Sequence, residues 1–404
     1  MAGSTIDHMV ALTLFLAALL LFIGLFNQTI QTAVLYQRHA VIAAKCTDLL
    51  DNVLLSPGYP TYWGSSNSTP SSFGLQDPEF MQYQLSPFSL MHLNSLTGSP
   101  IYYPNTGQTY SNITMGFGNF LFVPYSEVLN YSTVSMLLGI NNTYGFQMMI
   151  VPIVNVSISE LHSSNPLNLS VNVAGKGFPL ANANLTYCFM TALLQGGGSY
   201  PTCTTSYGTA NTDEKGMTFL SFPAVTDPNT SYSLTVYAHI RGLTGMGYCQ
   251  RVSSAQQYVV PLIEDFDART VILAHSYDVN ASGQPKADIS YNATFVLLAE
   301  DFTLREMPIV NSTGIIGNVQ PYGELTIPTN NPGILVITYK KSPTEGGIVL
   351  MPWGVSAMAF QVTFGAGMSG KEWVATDTRD VTVNNVAYQA SLALWDLQGY
   401  QVKG

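Results

Sequence analysis

The first long apolar run spans Met9 to Phe26 (MVALTLFLAALLLFIGLF) and carries no charge. As a helix it would cover roughly 27 Å, close to the hydrocarbon thickness of a bilayer. No helix breaker follows until Ser56-Pro57-Gly58. Over the second stretch apolar residues recur at helical spacing. Val34 and Val41 are one set, Leu35, Ile42 and Leu49 another, and Cys46, Leu50 and Val53 fill the same face. Gln31, Gln37, Arg38, Lys45, Asp48 and Asp51 lie largely elsewhere. The pattern predicts one helix from Met9 to Leu55, about 70 Å long. A cleaved secretory signal would have a basic segment before the run and a small-residue cleavage site after it. Here no Lys or Arg precedes the run, and Asn27-Gln28-Thr29 follows it. An uncleaved anchor is the expectation, with residues 1–57 forming a transmembrane and amphipathic helix.

The period changes after Pro57. Residues 58–160 read as a small α+β head, with a short helix starting at Ser86-Pro87 and a second from Glu127 to Leu138, stopped by Gly139. An extended run from Tyr144 to Ile158 follows. Strict alternation then takes over at Leu167, Leu169, Val171 and Val173, again at Leu185, Tyr187 and Phe189, and again at Tyr232, Leu234, Val236 and Ala238. Short alternating strands between Gly and Asp turns predict a β-sandwich over 161–255. Residues 256–404 are strand-rich too and predict a second sandwich or barrel. The expected class is α+β overall and mainly β.

Composition sharpens this picture. Only 9% of the chain is charged, against about 25% for an ordinary soluble domain. The net charge of -10, with no basic run, argues against nucleic-acid binding. N-x-S/T sequons begin at Asn27, Asn67, Asn112, Asn130, Asn141, Asn155, Asn168, Asn184, Asn229, Asn280, Asn292 and Asn311. Their even spread predicts an ectodomain carrying N-linked glycans, with Asn27 unmodified at the membrane edge. Arg38, His39 and Lys45 follow the anchor and would place that side in the cytoplasm. Long domains translocate largely regardless of such charges, so the expected topology is single-pass, N-terminus cytoplasmic and C-terminal bulk extracellular. Of four cysteines, Cys188 and Cys203 close the shortest loop, across Gly196-Gly197-Gly198, and are the expected disulfide.

Two stretches resemble known families. The opening helix is similar to that of archaeal type IV pilin-like proteins. A cut between Ala2 and Gly3 would make Asp7 the fifth mature residue, where that family has an acid. Leu54 to Pro60 with Trp63, and Leu137-Leu138-Gly139 followed by Tyr144-Gly145-Phe146, resemble the membrane-proximal part of the same proteins. The resemblance covers about residues 3–158 and implies Gly3 and Asp7 as processing and assembly positions. The implied leader, Met1-Ala2, departs from the family's basic one, so a filament core and a stand-alone stalk both stay open. Gly177 to Leu185 (GFPLANANL), Thr212 to Gly216 (TDEKG) and Tyr232 to Ala238 (YSLTVYA) resemble immunoglobulin-like bacterial surface domains. That resemblance implies spacer or adhesive modules whose motif residues form turns and core.

Reactive constellations are weak. Gly365 to Lys371 (GAGMSGK) has P-loop spacing, but Glu372 stands where Ser or Thr must meet magnesium, so a turn is expected. Glu264, Asp265, Asp267 and Asp278 lack the order of a calcium loop. No catalytic set, cofactor or metal is expected. The leading expectation is a non-enzymatic, membrane-anchored surface protein, structural or adhesive, with other pilin-like subunits or envelope proteins as partners. A surface-layer or envelope protein, and a carbohydrate- or solute-binding ectodomain, are the alternatives.

Overall fold

The computed structural model describes residues 2–79, 82–93, 100–104, 106–114, 119–193, 202–228, 230–251, 259–274, 288–298, 304–317, 321–342, 346–354, 361–371 and 373–397. Helix α1 runs unbroken over Ala2–Leu55, about 80 Å at 1.5 Å per residue. From Ile6 to Phe26 its side chains are exposed, and its apolar window has no part buried in the protein. This is the only helix among the described residues that is long and apolar enough to cross a membrane. The hydroxyls of Thr13, Thr29 and Thr32 donate back to the carbonyls of Val10, Leu25 and Gln28 at 2.8–2.9 Å. These three hydroxyls thus stay paired within the helix itself.

The apolar stripe of the second half is buried only from Ile42 onward. Ile42, Cys46, Leu49, Leu50, Val53 and Leu54 are buried, whereas Val34, Leu35 and Val41 are exposed. The buried stripe docks on a four-stranded antiparallel sheet of order β21-β4-β23-β22, made of β4 (Tyr144–Pro152), β21 (Val362–Gly365), β22 (Ala375–Val383) and β23 (Val386–Asp396). Short helices α2 (Pro87–Met91) and α3 (Tyr131–Leu137) complete this head. Their starts follow from their caps: Ser86 accepts from Ser89 N–H, and Asn130 accepts from Thr133 N–H.

The head is not contiguous in sequence. β4 pairs with β23 from Tyr144↔Asp396 to Pro152↔Tyr388, and with β21 through Ile150↔Val362. Residues 153–361 therefore leave and re-enter one sheet at neighbouring strands. The expected division at 160 and 256 does not follow the sheets, because strand pairing over long sequence separations leaves no local mark.

Three more sheets fill the excursion. An eight-stranded sheet holds β5 (Val154–Ser163), β6 (Leu167–Gly175), β7 (Phe178–Pro179), β8 (Asn184–Leu193), β9 (Thr202–Asn211), β10 (Met217–Phe222), β11 (Ser231–Ile240) and β12 (Leu243–Arg251). It wraps round its own core of Leu167, Leu169, Val171, Leu185, Phe189, Leu234 and Val236, the sandwich expected from alternation. Its two halves meet where β12 runs parallel to β5 at Met246↔Asn155. Gly245 and Gly247 flank that contact, and a Cβ on either would meet Val154 or Val156 at 2.5–2.6 Å.

Two of the resembling motifs form its turns, and the third, Tyr232 to Ala238, lies buried on β11. Thr212 Oγ1 donates to Leu180 O at 2.7 Å and accepts from Ala183 N–H at 2.9 Å. Asp213 Oδ1 accepts from Lys215 and Met217 N–H, and Gly216 has φ +71°.

A six-stranded sheet joins β1 (Ile101–Tyr103), β2 (Gln108–Thr114) and β3 (Asn119–Pro124) to β13 (Val260–Asp265), β14 (Thr270–Ala274) and β18 (Tyr322–Thr326). A five-stranded sheet holds β15 (Ile289–Leu298), β16 (Leu304–Met307), β17 (Thr313–Ile316), β19 (Gly333–Lys340) and β20 (Gly346–Trp353). One core runs from Ile42 of α1 through the head sheet to Leu335 and Leu350, and takes in Met190, Tyr237, Met246 and Tyr248 from the outer face of the eight-stranded sheet. The sandwich is thus packed sideways against its neighbours, not threaded as a free bead. That is why the first eight positions of β11 are all buried.

Candidate functional site

The element that positions the whole molecule is the junction between α1 and the head sheet. Thr47 and Asp51 lie four residues apart and so share a helix face. Both reach across to β22. Thr47 Oγ1 donates to Asp377 Oδ2 at 2.7 Å. Arg379 Nη2 donates to Asp51 Oδ2 at 3.1 Å, and Nε sits 2.9 Å from Oδ1. Its Nη1 donates to Asp377 Oδ1 at 2.8 Å. One guanidinium so clamps a helix carboxylate and a strand carboxylate. Hydrogen bonds donated to Asp51, then to Asp377, hold the Arg379 charge more firmly than usual. Burial opposes ionisation of Asp377, but Thr47, the Thr378 N–H and Arg379 outweigh it and keep its carboxyl below the ordinary range.

Beneath the clamp, Cys46 Sγ donates to Leu392 O at 3.3 Å. Burial first, and Asp377 second, push this thiol up to about 11, so it behaves as a small core residue. One turn before the buried stripe His39 stacks on Trp373 with centroids 4.1 Å apart. The arrangement fixes the direction of the helix against the sheet and offers no nucleophile–base pair.

A second polar feature lies inside the head. His92 is fully buried between Trp63 and Phe266, at 5.7 and 5.0 Å. Its Nδ1 is 3.0 Å from Glu127 O, and its Nε2 is 2.9 Å from Gly64 O. A neutral imidazole has one N–H for these two carbonyls. Burial still holds the pKa of His92 below its usual value, so one carbonyl goes without a donor from the ring. The carboxyl of Glu127 is pushed up to about 7, by burial and then by Asp265 and Asp267.

The positions singled out in the sequence are scattered. Gly3 and Asp7 lie in the first turns of α1, with Asp7 exposed. Asn67, Asn130, Asn141, Asn155, Asn184 and Asn311 are exposed; Asn168 and Asn292 are half-buried. Asn112 is on β2. Asn229 and Asn280 lie outside the described residues. Asn27 is exposed on α1.

The strand register does not bring together the expected Cys188–Cys203 disulfide, and Cys188 is buried. Both cysteines are on paired strands, but Cys188 faces Tyr207 and Cys203 faces Ala192. That register separates them by about 13 Å of strand, beyond the ~7 Å a disulfide spans. Gly365–Lys371 is a turn after β21, with positive φ at Gly365 and Gly370. Of the acidic cluster, Asp265 Oδ1 accepts from Ala268 N–H at 2.7 Å, closing a turn, and Asp278 is outside the described residues. Among the described residues no three metal-ligating side chains converge. Arg379 and His92 were not anticipated. Arg379 falls in an ordinary alternating strand pattern, and a lone His in an apolar context carries no local signal.

No protein-family model and no curated protein matches the chain. Among solved structures, the D0–D1 domain of intimin aligns with 52% of this chain and 99% of its own length, at 12% identity and a TM-score of 0.21. Red sea bream transglutaminase aligns with 61% of this chain and 37% of its own length, at 10% identity and a TM-score of 0.18. Overlaps this loose leave the functional argument to the molecule's own geometry.

Proposed function

We propose that the chain is a non-enzymatic, membrane-anchored surface protein that displays its β-rich bulk outside the cell. The observation that carries this reading is the two-part helix. Its apolar part, from Ile6 to Phe26, touches no other part of the protein, while Ile42 to Leu54 is locked into the head sheet. A helix bare at one end and clamped at the other is an anchor with a rigid mount. The exposed segment between Phe26 and His39, where the stack on Trp373 begins, would hold the head about 20 Å from the end of the apolar run. The low charge and the exposed sequons support an extracellular, glycosylated display of structural or adhesive kind. The immunoglobulin-like turns support a spacer or adhesive role for the sandwich.

Within this reading the build is type IV pilin-like: one long helix laid on an antiparallel sheet. Ile30, Val34, Leu35 and Val41 stay exposed beyond the apolar run. They favour packing against neighbouring helices of like subunits or envelope proteins. Protease treatment of intact cells, with glycopeptide mass spectrometry of Asn67, Asn141, Asn155 and Asn184, tests the proposal. Digestion of the head with the anchor retained, and glycan mass on those residues, is expected. A protected head in sealed cells would overturn it.

A further inference from the structure

A cleft of about 100 Å³ opens between the loop that follows α1 and the turn that precedes β19. Its walls include Tyr62, Asp77, Glu79, Ser89, Asn330 and Asn331, and among the described residues no Lys, Arg or His lines it. The polar groups there are held in place but not used up. Asp77 Oδ1 accepts from Glu79 N–H at 3.0 Å, while Oδ2 takes no donor among the described residues. Burial raises the Asp77 carboxyl above its usual range, with the Glu79 charge adding to it. Asn330 is oriented from behind: Arg269 Nη1 donates to its Oδ1 at 3.0 Å, and Arg269 Nε is itself tied to Ile327 O at 2.9 Å. With Oδ1 occupied, the amide N–H₂ is left to donate. Tyr62 stands at the rim on the 3-10 turn Trp63–Ser65, with 54% of its surface exposed.

This mixture selects a ligand class. Carboxylate oxygens only accept, amide N–H groups only donate, and the phenol ring offers an apolar face. An anion would meet two carboxylates with no cation. An ammonium group would use the carboxylates but leave the amide donor facing a positive charge. An apolar ligand would strand every one of these groups. A sugar ring presents hydroxyls that both donate and accept, plus a C–H face for an aromatic ring. The volume admits the edge of one ring, well under the ~300 Å³ of a drug-sized pocket.

We propose that this cleft binds the terminal pyranose of a neutral glycan, with Asp77 and Asn330 on its hydroxyls and Tyr62 against its C–H face. The site stands on its own geometry and does not depend on which side of a membrane the head lies. A single-ring contact of this size gives an affinity on the order of millimolar.

Saturation-transfer NMR on the full chain, in a detergent without a sugar headgroup, is the direct test. The probes are the methyl glycosides of glucose, galactose, mannose and N-acetylglucosamine, with butylamine as the cationic control. Transfer to at least one glycoside is expected, with its Kd raised tenfold or more in Tyr62→Ala and in Asp77→Asn. The second variant keeps the oxygen that accepts from Glu79 N–H, and so keeps the turn. Asn330→Ala stands in for either should it fail to fold, as judged by the thermal midpoint. Absence of transfer to all four glycosides, unchanged affinity in any folded variant, or binding of butylamine alone would overturn the proposal.

Discussion

Replacing Glu127 by Gln should make the protein more stable, and more so the higher the pH. Glu127 ends the 3-10 turn Tyr125–Glu127, and its Oε2 is buried with no hydrogen-bond partner among the described residues. Burial, with Asp265 and Asp267 nearby, raises its carboxyl from 4.5 to about 7. Below 4.5 both folded and unfolded chains carry the proton, and the group costs nothing. Between 4.5 and 7 the unfolded chain has lost the proton that the folded chain still holds, so stability falls as pH rises. Above 7 the folded chain bears the buried charge at full cost. At about 1.4 kcal/mol per tenfold, a rise from 4.5 to about 7 corresponds to about 3 kcal/mol. The side chain is only partly buried, so solvent screening brings the expected effect down to about 1–2 kcal/mol.

Glutamine keeps the shape and removes the charge. Urea unfolding of wild type and Glu127→Gln, followed by tryptophan fluorescence between pH 5 and 8.5 in detergent, measures the gap directly. His92, whose pKa burial holds down, titrates toward the acid side in both proteins and largely cancels in their difference. The gap should be smallest at pH 5, grow through pH 7 and reach its full size by about pH 8. A gap that is flat with pH, or that widens toward acid, would refute the argument.

Other outcomes follow from the same geometry. Leu50→Ala, at a fully buried position of the docking stripe, should cost about 2–4 kcal/mol by chemical denaturation. Arg379→Met leaves Asp51 and Asp377 without their shared cation and should lower stability by about 1–2 kcal/mol, an effect that shrinks when Asp51→Asn is added. Gly247→Ala, whose Cβ would press on Val156, should cost more than about 1 kcal/mol by prying β12 from β5. Cys46 and Cys188 should resist maleimide in the folded protein and react after unfolding, and the chain should migrate alike with and without reductant.

The parts legible in the sequence were those with a local cause. The helix followed from an uncharged run joined to a helical period, and the starts of α2 and α3 from Ser86 and Asn130. The sandwich strands followed from alternation at Leu167 to Val173 and Tyr232 to Ala238. Periodicity marked the face of the stripe, but only the reach of β22 and β23 decides that burial within the chain begins at Ile42. The composite head stayed hidden because β4 and β23 show ordinary alternation, and nothing in either names the other as partner. The disulfide failed on register, which the loop between β8 and β9 does not specify. The clamp at Arg379 and the cleft at Asp77 are built from segments far apart in the chain, so their residues had no neighbours in sequence to betray them.

The docking of α1 on β22 and β23 also dictates an order of manufacture. Cys46 donates to a carbonyl of Ala375 or Leu392, more than 300 positions later. At ~5–20 residues per second, a ribosome delivers those strands roughly 20 to 70 s after the helix. The helix is therefore finished, and its apolar stripe bare, long before its sheet exists. Through that interval Ile42 to Leu54 lack the sheet that buries them in the finished protein. Only a chain translated through β23 can cover the stripe. The closing hairpin is thus the step that buries the stripe, and a chain that stops before β22 keeps Ile42 to Leu54 uncovered.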